Sequence, residues 1–592
     1  MKIRYLSGNR LYYAVLAGGN AVIRDQAYLN KINVFPVPDA DTGTNLASTM
    51  RFIAERARAS RSPKTTLDSI ADAAITGARG NSGIIFAQFL YGLAQEVRND
   101  LHLTTRAFGE SVRRAVGYAR SAIAHPVEGT MITLIHDWAE AVYRDRHLRS
   151  DFAELLAHSL ETARASLKET THKLAVLRKA GVVDAGAKGF VDFLEGVVHF
   201  IRRGDIKSLR MERADAAEAP PIVQAHRGEV LRRYCAEALI VGSGLDVDAI
   251  RRTVDAGGES AIVAGSAAKV RIHVHTDAPA ELFFRLKDFG TIAEIKADDM
   301  VRQYEAAHAP KAKIALVTDS ACDLPAAFLD EHQIHVVPYH LSFGDSLFLD
   351  KVTIAPDQFY ELLQTSRHHP QSAQPSPAAV RNLMSFLAGH YESIIAVTIS
   401  SGLSGMAGLC RLAADALPGA KISVIDSRHL SLSEGLILKR VAEAVRSGRP
   451  HDEIVRDARG WVAKTKLFVD IATLKYMVRG GRVSPLKGLV AGLLNLKPIV
   501  SLDAEGKAAI EGKSFSRRAN LKKILGHVRA FADTGKVRGY AIVHARNPER
   551  AARYAADMTA IVGAGPDFVM EVSPVVGAHN GIGVVGIALM HE

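Results

Sequence analysis

The sequence predicts a multidomain protein: an all-α domain, then a small α/β module, then an α/β domain built on a parallel sheet. Three observations predict this. Through about residue 205, helical periodicity recurs in stretches such as LDSIADAAITGA and FAELLAHSLETARASL, separated by short Gly- or Pro-marked breaks. From about 225 to 308, YCAEALIV and AKVRIHVHT alternate as strands do, with the helix-like VDAIRRTVDA and PAELFFRLKDFG among them. Beyond 313, the apolar runs KIALV, IIAVTI and KISVI alternate with helical segments and end abruptly in polar residues, the pattern of a parallel sheet.

At 592 residues the chain exceeds the size at which one core stops growing, so length argues for about three or four domains. We place them at 1–208, 222–308 and 312–592, with the polar segments MERADAAEAPPIVQ (211–224) and AAHAPKAK (306–313) as linkers. Apolar residues make up 48% and charged residues 23%, the balance of an ordinary globular protein. Three scattered cysteines, Cys235, Cys322 and Cys410, build no disulfide framework and predict a cytoplasmic location. The N-terminal LYYAVLAGG imitates a signal peptide, but Gly18, Gly19 and Asn20 interrupt it. No run reaches about 18 apolar residues, which argues against a spanning helix. The net charge of +11 suits nucleotides or anionic headgroups, and no basic run interleaved with aromatics points to nucleic acid.

In INVFPVPDADTGTNL (32–46), Asp39, Asp41, Thr44 and Asn45 crowd a turn stiffened by two prolines, a concentration of hard oxygen ligands that suits Mg²⁺ or an Asx-turn. GARGNSGIIFAQFLYG (77–92) is a Gly-rich loop opening directly into an apolar helix, so its free amides and helix dipole face an anion, although it lacks a Walker ending. VEGTM (127–131) and GVVDAGAKG (181–189) add Thr130, Asp184 and Gly186 in loop-like contexts. In order and spacing these four segments resemble the DhaL-type nucleotide-binding domain of dihydroxyacetone kinases, and more closely its version in bacterial fatty acid kinases. The resemblance implies an antiparallel helical barrel with ATP at one end and Mg²⁺ held by Asn33, Asp39 and Asp41. It also implies that Thr44, Asn45, Ser82, Gly83 and Thr130 lie near the phosphates, and Asp184 and Gly186 near the base. Ala40 departs from a pattern that has Gly, and a positive φ there would strain it.

In KVRIHVHTD (269–277), Val270, Ile272 and Val274 share one face of a predicted strand, which puts His273 and His275 together on the other. With Cys235 they form a Cys-His₂ set suited to zinc with one open position. The segments YCAEALIVG and IHVHTDAP resemble the middle domain of the ATP-binding component of fatty acid kinases, which implies activity and metal binding for Cys235, His273 and His275.

From 313 onward the chain resembles the DegV family of fatty-acid-binding proteins through VTDSACDLP (317–325), QPSP (374–377), TISSGLSG (398–405), LKYMVRGGRVSPLKG (474–488) and HNGIG (579–583). The resemblance implies a two-lobed α/β domain that presents an acyl carboxylate to the kinase. TDS (318–320), SSGLSG (400–405) and DS (426–427), each at the end of a strand, are expected to converge. SSGLSG opens a helix, so hydroxyls and free amides can both donate to a carboxylate. By the family's pattern Ser372, Ser400 or Ser401, and His579 bind it, while Arg479 or Arg482 handles phosphate or contacts the kinase part; of these, Arg482 joins the catalytic set. LKGLVAGLLNL (486–496) is a candidate tunnel lining or a core helix. Ala373 stands where the family has Ser, and Met406 where Thr is usual.

Together the resemblances imply a homodimeric fatty acid kinase that uses ATP and Mg²⁺, with zinc at the Cys/His set. Its expected partners are a fatty acid or related lipid carboxylate, with transient contact to a membrane surface or an acyltransferase, and no nucleic acid. A carboxylate with a pKa of about 4 to 5 is already ionised at pH 7 and needs no general base to attack phosphorus. The alternatives are a non-catalytic lipid carrier or sensor regulated by nucleotide, and a dihydroxyacetone-kinase-like enzyme acting on a hydroxyl.

Overall fold

The computed structural model describes residues 2–35, 40–204, 232–480 and 497–592. They fall into two compact units, Met1–Tyr304 and Glu305–Glu592. Asp39, Arg482 and the apolar run 486–496 lie outside the described residues.

The first unit begins with helices α1 (Gly8–Arg24), α2 (Gln26–Lys31), α3 (Thr42–Arg56), α4 (Pro63–Gly77), α5 (Gly80–Glu96), α6 (Thr105–Ser121), α7 (Met131–Asp145), α8 (Phe152–Lys173), α9 (Ala175–Ala180) and α10 (Ala185–Arg203). Two short strands, β1 (Tyr5–Leu6) and β2 (Leu103–Thr104), pair between them. Their apolar stripes close on one core in which aromatic rings meet edge to face, Phe86 on Phe193 at 4.9 Å and Trp138 on Phe190 at 5.6 Å between centroids. Five long helices start on side-chain caps: the oxygens of Ser7, Ser62, Thr104, Asp151 and Asp184 accept amides in the first turns of α1, α4, α6, α8 and α10. The helices between them begin differently.

The module that follows is a four-stranded antiparallel sheet in the order β4-β5-β3-β6, made of β3 (Tyr234–Val241), β4 (Glu259–Gly265), β5 (Lys269–Thr276) and β6 (Thr291–Asp299). Its edge strand β4 is joined to the end of α6, where Val263 N–H donates to Ala122 O at 2.9 Å and Ala124 N–H to Ala261 O at 3.3 Å. Ile262 and Ala264 belong to the helical core. The helices Val247–Gly257 and Pro279–Leu286 complete the module with the buried Val254 and Phe283.

The second unit holds the expected parallel sheet, in the order β13-β12-β7-β8: β7 (Ile314–Asp319), β8 (His335–Val337), β12 (Ser393–Thr398) and β13 (Ile422–Asp426). A small antiparallel sheet of β9 (His340–Phe343), β10 (Ser346–Leu349) and β11 (Gln371–Ala373) lies between β8 and β12 in the chain. A second large sheet has the order β16-β15-β14-β19-β17-β18, with β14 (Thr465–Asp470), β15 (Lys497–Leu502), β16 (Ala508–Ser514), β17 (Val537–His544), β18 (Phe568–Glu571) and β19 (Val585–His591). It is antiparallel except where β17 meets β18, and it has its own core under the helices Arg517–Asp533 and Pro548–Val562. Among the described residues, no helix is long and apolar enough to cross a membrane.

Helices α1 and α10 approach so closely that a Cβ on Gly196 would stand 2.4 Å from the Ala17 carbonyl oxygen and 2.8 Å from Gly18 Cα. Backbone cannot yield there as a flexible side chain can. Gly196→Ala is therefore expected to cost about 1–3 kcal/mol of stability by overpacking, read as a lower denaturation midpoint of the helical core. An unchanged midpoint would contradict the close approach.

Candidate functional site

Helices α3, α5 and α7 start without the side-chain caps of their neighbours: Asp41, Arg79 and Thr130 stand at their N-caps, and none makes a capping hydrogen bond. Neither these helices nor α10 carries an acidic residue in its first turn, where one would ordinarily be favourable. The four ends lie together. Gly80 opens α5 with φ +58°, and a Cβ there would stand 2.4 Å from Asn45 Nδ2 of α3, so the close approach and the left-handed backbone both call for glycine. A Cβ on Gly186 would stand 2.7 Å from Ser82 Oγ and 3.4 Å from Met131 Cβ. Thus α10, α5 and α7 meet at residues chosen by sequence.

Asp184 ties two of these ends together. Its Oδ1 accepts the Ala187 amide at 2.8 Å in α10, and its carboxylate also takes the Met131 amide at the start of α7. Burial pushes the Asp184 carboxyl up to about 6, against the two amides, which favour its ionised form. Asp41 Oδ2 accepts Asn45 Nδ2 at 2.7 Å, and Asn33 is buried nearby in sequence. Two expected phosphate neighbours are otherwise engaged: Thr44 gives its amide to Asn30 Oδ1 at 2.9 Å and its hydroxyl accepts from Asn30 Nδ2, while Thr130 donates its hydroxyl to Val127 O at 2.8 Å. Ala40 sits at φ +52°, the strained conformation expected of it.

The middle sheet places its polar face by register. Cys235 pairs with His275 and with Asp298, and Glu237 with His273 and with Lys296, so these side chains share one face. One ligand atom each from Cys235, His273 and His275 lie within 4.8 Å of one another. Cys235 Sγ is 3.9 Å from His273 Nδ1, which is also 3.3 Å from Glu237 Oε1, while His273 Nε2 is buried with no partner among the described atoms. Burial and the neighbouring Glu237, Asp298 and Asp41 carboxylates push the Cys235 thiol up, with Lys296 opposing them. A soft thiolate and two imidazoles at this spacing fit Zn²⁺, whose bonds to such ligands run about 2.0–2.3 Å. The donors at the α3 end, Asn33 and Asp41, are hard oxygens of the kind Mg²⁺ takes.

Two residues of this region escaped the sequence reading. Glu237 is 3% exposed, and its Oε1 accepts the Gly80 amide at 2.8 Å. Although burial alone would raise it, His273, Lys296 and Arg79 hold its carboxyl well below the usual range. Arg271, fully buried, pairs with Glu294 at 2.9 Å and donates to Thr76 O at the end of α4. The period-two rule that selects His273 and His275 also selects Arg271, and Glu237 stands two residues from Cys235.

In the second unit the strand ends do meet. Asp319 Oδ2 accepts the Ile399 amide at 2.9 Å, Asp426 Oδ1 accepts the Ser401 amide at 3.1 Å, and Ser427 N–H donates to Thr398 O. The amides of residues 400 to 404 are consequently taken up internally, since Ser400 N–H goes to His429 O, Gly402 N–H to Ser400 Oγ, and those of Leu403 and Ser404 to Ser400 O. For these five residues the expectation of free amides is corrected. Ser400 is buried and donates to Gly506 O at 2.8 Å, and Ser401 is exposed. Neither lines the adjacent cavity. Ser404 does, together with Ser372, Tyr339 and His579, and the remaining wall is largely apolar, including Leu467, Val469, Ile471 and Met477. Ser372 Oγ and His579 Nε2 share a hydrogen bond at 3.0 Å, as do Tyr339 and Ser404 hydroxyls at 2.6 Å. Ala373 is exposed and outside the lining, and Met406 is fully buried at the start of the helix Met406–Asp415. The two departures from the family pattern therefore remove no hydroxyl from the cavity wall. Arg479 ends the short helix Lys475–Arg479, outside the lining.

The DegV family profile matches residues 313–592. A DegV domain-containing protein of Clostridium acetobutylicum is 30% identical over 282 residues, which are 99% of that protein and 47% of this chain. The chain belongs to the DegV family. Ahead of its DegV part, the DAK2 domain profile matches residues 36–199, and the profile of the FakA-like middle domain of fatty acid kinases matches 232–307. An uncharacterised Staphylococcus aureus protein is 27% identical over 313 residues, 51% of this chain and 57% of that one. Among solved structures, DegV of Bacillus subtilis, a fatty acid binding protein, covers 48% of this chain at 24% identity with a TM-score of 0.45 and is itself matched over 100% of its length. A fatty acid binding DegV family protein of Streptococcus agalactiae covers 48% at 24% identity, is matched over 99%, and has a TM-score of 0.45. This DegV-family chain thus carries a kinase-like architecture ahead of its DegV domain.

Asp184 supplies a pH test of the shared helix ends. Its carboxyl holds a proton up to about pH 6 in the folded chain but only to about 3.8 when unfolded, so its contribution is fully present below 3.8 and lost as pH rises through 6. Between these values stability should fall by up to about 3 kcal/mol from this group. In Asp184→Asn that part of the slope disappears, which denaturation midpoints taken from pH 4 to 7 will reveal; parallel curves would refute the assignment.

Proposed function

We propose that the chain is an ATP-dependent fatty acid kinase whose DegV domain holds the acyl carboxylate and whose helical unit holds the nucleotide. Above all, the convergence of α3, α5, α7 and α10 supports this: four helix N-termini bring their positive dipole ends to one place, which suits a polyanion, while Asn30, Glu237 and Asp184 take one amide each from α3, α5 and α7, those of Thr44, Gly80 and Met131. The phosphates would lie against the first turns of α5 and α3, near Ser82, Gly83 and Asn45, with Asp184 and Gly186 shaping the neighbouring wall. Thr44 and Thr130 shape this end from behind, since their hydroxyls are engaged. Mg²⁺ held by Asn33, Asp39 and Asp41 would supply the charge neutralisation that phosphoryl transfer requires.

The apolar cavity with its polar cluster of Ser372, Ser404, Tyr339 and His579 suits a long-chain carboxylate. Each buried CH₂ stabilises such a complex by about 0.8 kcal/mol, and the clustered donors fix the head. Because the carboxylate is ionised at neutral pH, the chain need only hold it in line with the γ-phosphoryl group. The product is an acyl phosphate, formed as a carboxylate oxygen bonds to phosphorus and ADP leaves.

Hydroxylamine trapping decides the matter. Protein, ATP, Mg²⁺ and a long-chain fatty acid should give an ATP-dependent acyl hydroxamate, while ATP turnover without it would leave a carrier or sensor. Asp41→Asn should lower hydroxamate formation by about 10²-fold or more, several kcal/mol of charge stabilisation. His579→Ala should weaken fatty acid binding by about 10- to 100-fold, the value of a hydrogen bond to a charged group, with ADP affinity unchanged.

A further inference from the structure

The contact that joins the middle module to the Gly-rich loop has no counterpart in the roles assigned so far. Glu237 lies two residues from Cys235 on β3 and opposite His273 on β5. One of its oxygens, Oε1, is 2.8 Å from the Gly80 nitrogen and 3.3 Å from His273 Nδ1. The other, Oε2, faces Arg79 at 3.7 Å. Arg79 and Gly80 are the N-cap and first residue of α5, so one buried carboxylate touches both a member of the Cys/His cluster and the start of the proposed phosphate loop.

We infer that Glu237 is a positioning residue that couples cation binding at Cys235, His273 and His275 to anion binding at the start of α5. The inference rests on the proposed nucleotide site. By taking the Gly80 amide, Glu237 fixes the left-handed glycine and aims the following amides away from itself. By pairing with His273, it sets the orientation of that imidazole, as carboxylates behind ligating histidines do. The sign of the coupling follows from charge. Left alone, the Glu237 carboxylate is an anion beside a polyphosphate site, compensated in part by Arg79 on one side and by Lys296 on the neighbouring strand. A divalent cation on one thiolate and two neutral imidazoles adds net positive charge on its other side. Cation and nucleotide therefore favour each other, and linkage requires each to tighten the other by the same factor.

The test uses the full chain, stripped of metal with a chelator or loaded with zinc, and calorimetric titration with ADP and Mg²⁺. In wild type, zinc should tighten ADP on the order of tenfold, and ADP should tighten zinc equally. Glu237→Ala should abolish the mutual effect, weaken zinc by about 10- to 100-fold, and speed hydrogen exchange of the amides at 80–83. Glu237→Gln keeps an oxygen for the Gly80 amide, so it should restore protection there without restoring the coupling; it carries the comparison alone if the alanine variant does not fold. Gln88→Ala is the control, because Gln88 accepts the Gly265 amide at 2.9 Å and so links the same two regions away from both sites. It should lower stability and leave the coupling intact. Zinc and ADP both binding to wild type with no mutual effect would overturn this inference alone. Coupling undiminished in both Glu237 variants would do the same. Wild type that binds no ADP would overturn the nucleotide reading and this inference with it.

Discussion

At the start of an α-helix the first amides have no partner within the helix, and burying several such starts together is tolerable only if something negative meets them. The first unit is organised around that constraint. Helices α1, α4, α6 and α8 satisfy their starts locally through Ser7, Ser62, Thr104 and Asp151, while α3, α5 and α7 leave theirs uncapped where they gather with α10. Close packing of the ends needs Gly80 against Asn45 and Gly186 against Ser82. The buried anions present are few and specifically used: Asp184 holds α7 to α10, and Glu237 reaches in from the sheet to hold α5. The middle module is thus part of the same construction, since it supplies the carboxylate for one of the four helix starts.

Under the proposed function, the second unit meets a different requirement by different means. A carboxylate carries one charge on a small head, and an apolar chain supplies most of the binding energy. Few donors are needed, and they must not leave unsatisfied amides when the cavity is apolar. Asp319 and Asp426 accordingly take up the Ile399 and Ser401 amides after β12. Recognition would then fall to side chains, Ser372, Ser404, Tyr339 and His579, that already bond to one another in pairs. Burial raises the Asp319 carboxyl to about 6 even with the Ile399 and Ala321 amides donating to it.

The order of the three architectures was legible because each has its own period: 3.6 in α1 to α10, two in β3 and β5, and strand-helix alternation around the parallel sheet. The largely antiparallel second sheet was less legible, because β14 and β17 both pair with β19, which is distant from them in sequence, and carry no signature of that pairing. At residue level, Ala40 was foreseen to be strained if φ were positive, and φ is +52°. His273 and His275 were placed on one face by the pleat alone. Glu237 was missed because its importance depends on a hydrogen bond to Gly80, 157 residues away. Ser400 and Ser401 were named and Ser404 was not, because a motif gives its hydroxyls without saying that the fold spends that of Ser400 on the Gly506 carbonyl and turns that of Ser404 to the cavity.

These two ways of holding an anion explain what a single chain gains under the proposed function. An acyl phosphate is formed only while a polyphosphate and a carboxylate, which repel each other in water, are both neutralised by protein. On this reading each unit would neutralise one of them with its own kind of group: amides and hard oxygens for the first, hydroxyls and an imidazole for the second. Covalent linkage then converts their encounter from a bimolecular event into one governed by an effective concentration, of about millimolar for short connections. The arrangement needs no new contact to be advantageous. What it does demand is that the nucleotide end be ready when the carboxylate arrives, and a loop fixed by Glu237 from the neighbouring sheet is ready before either anion binds.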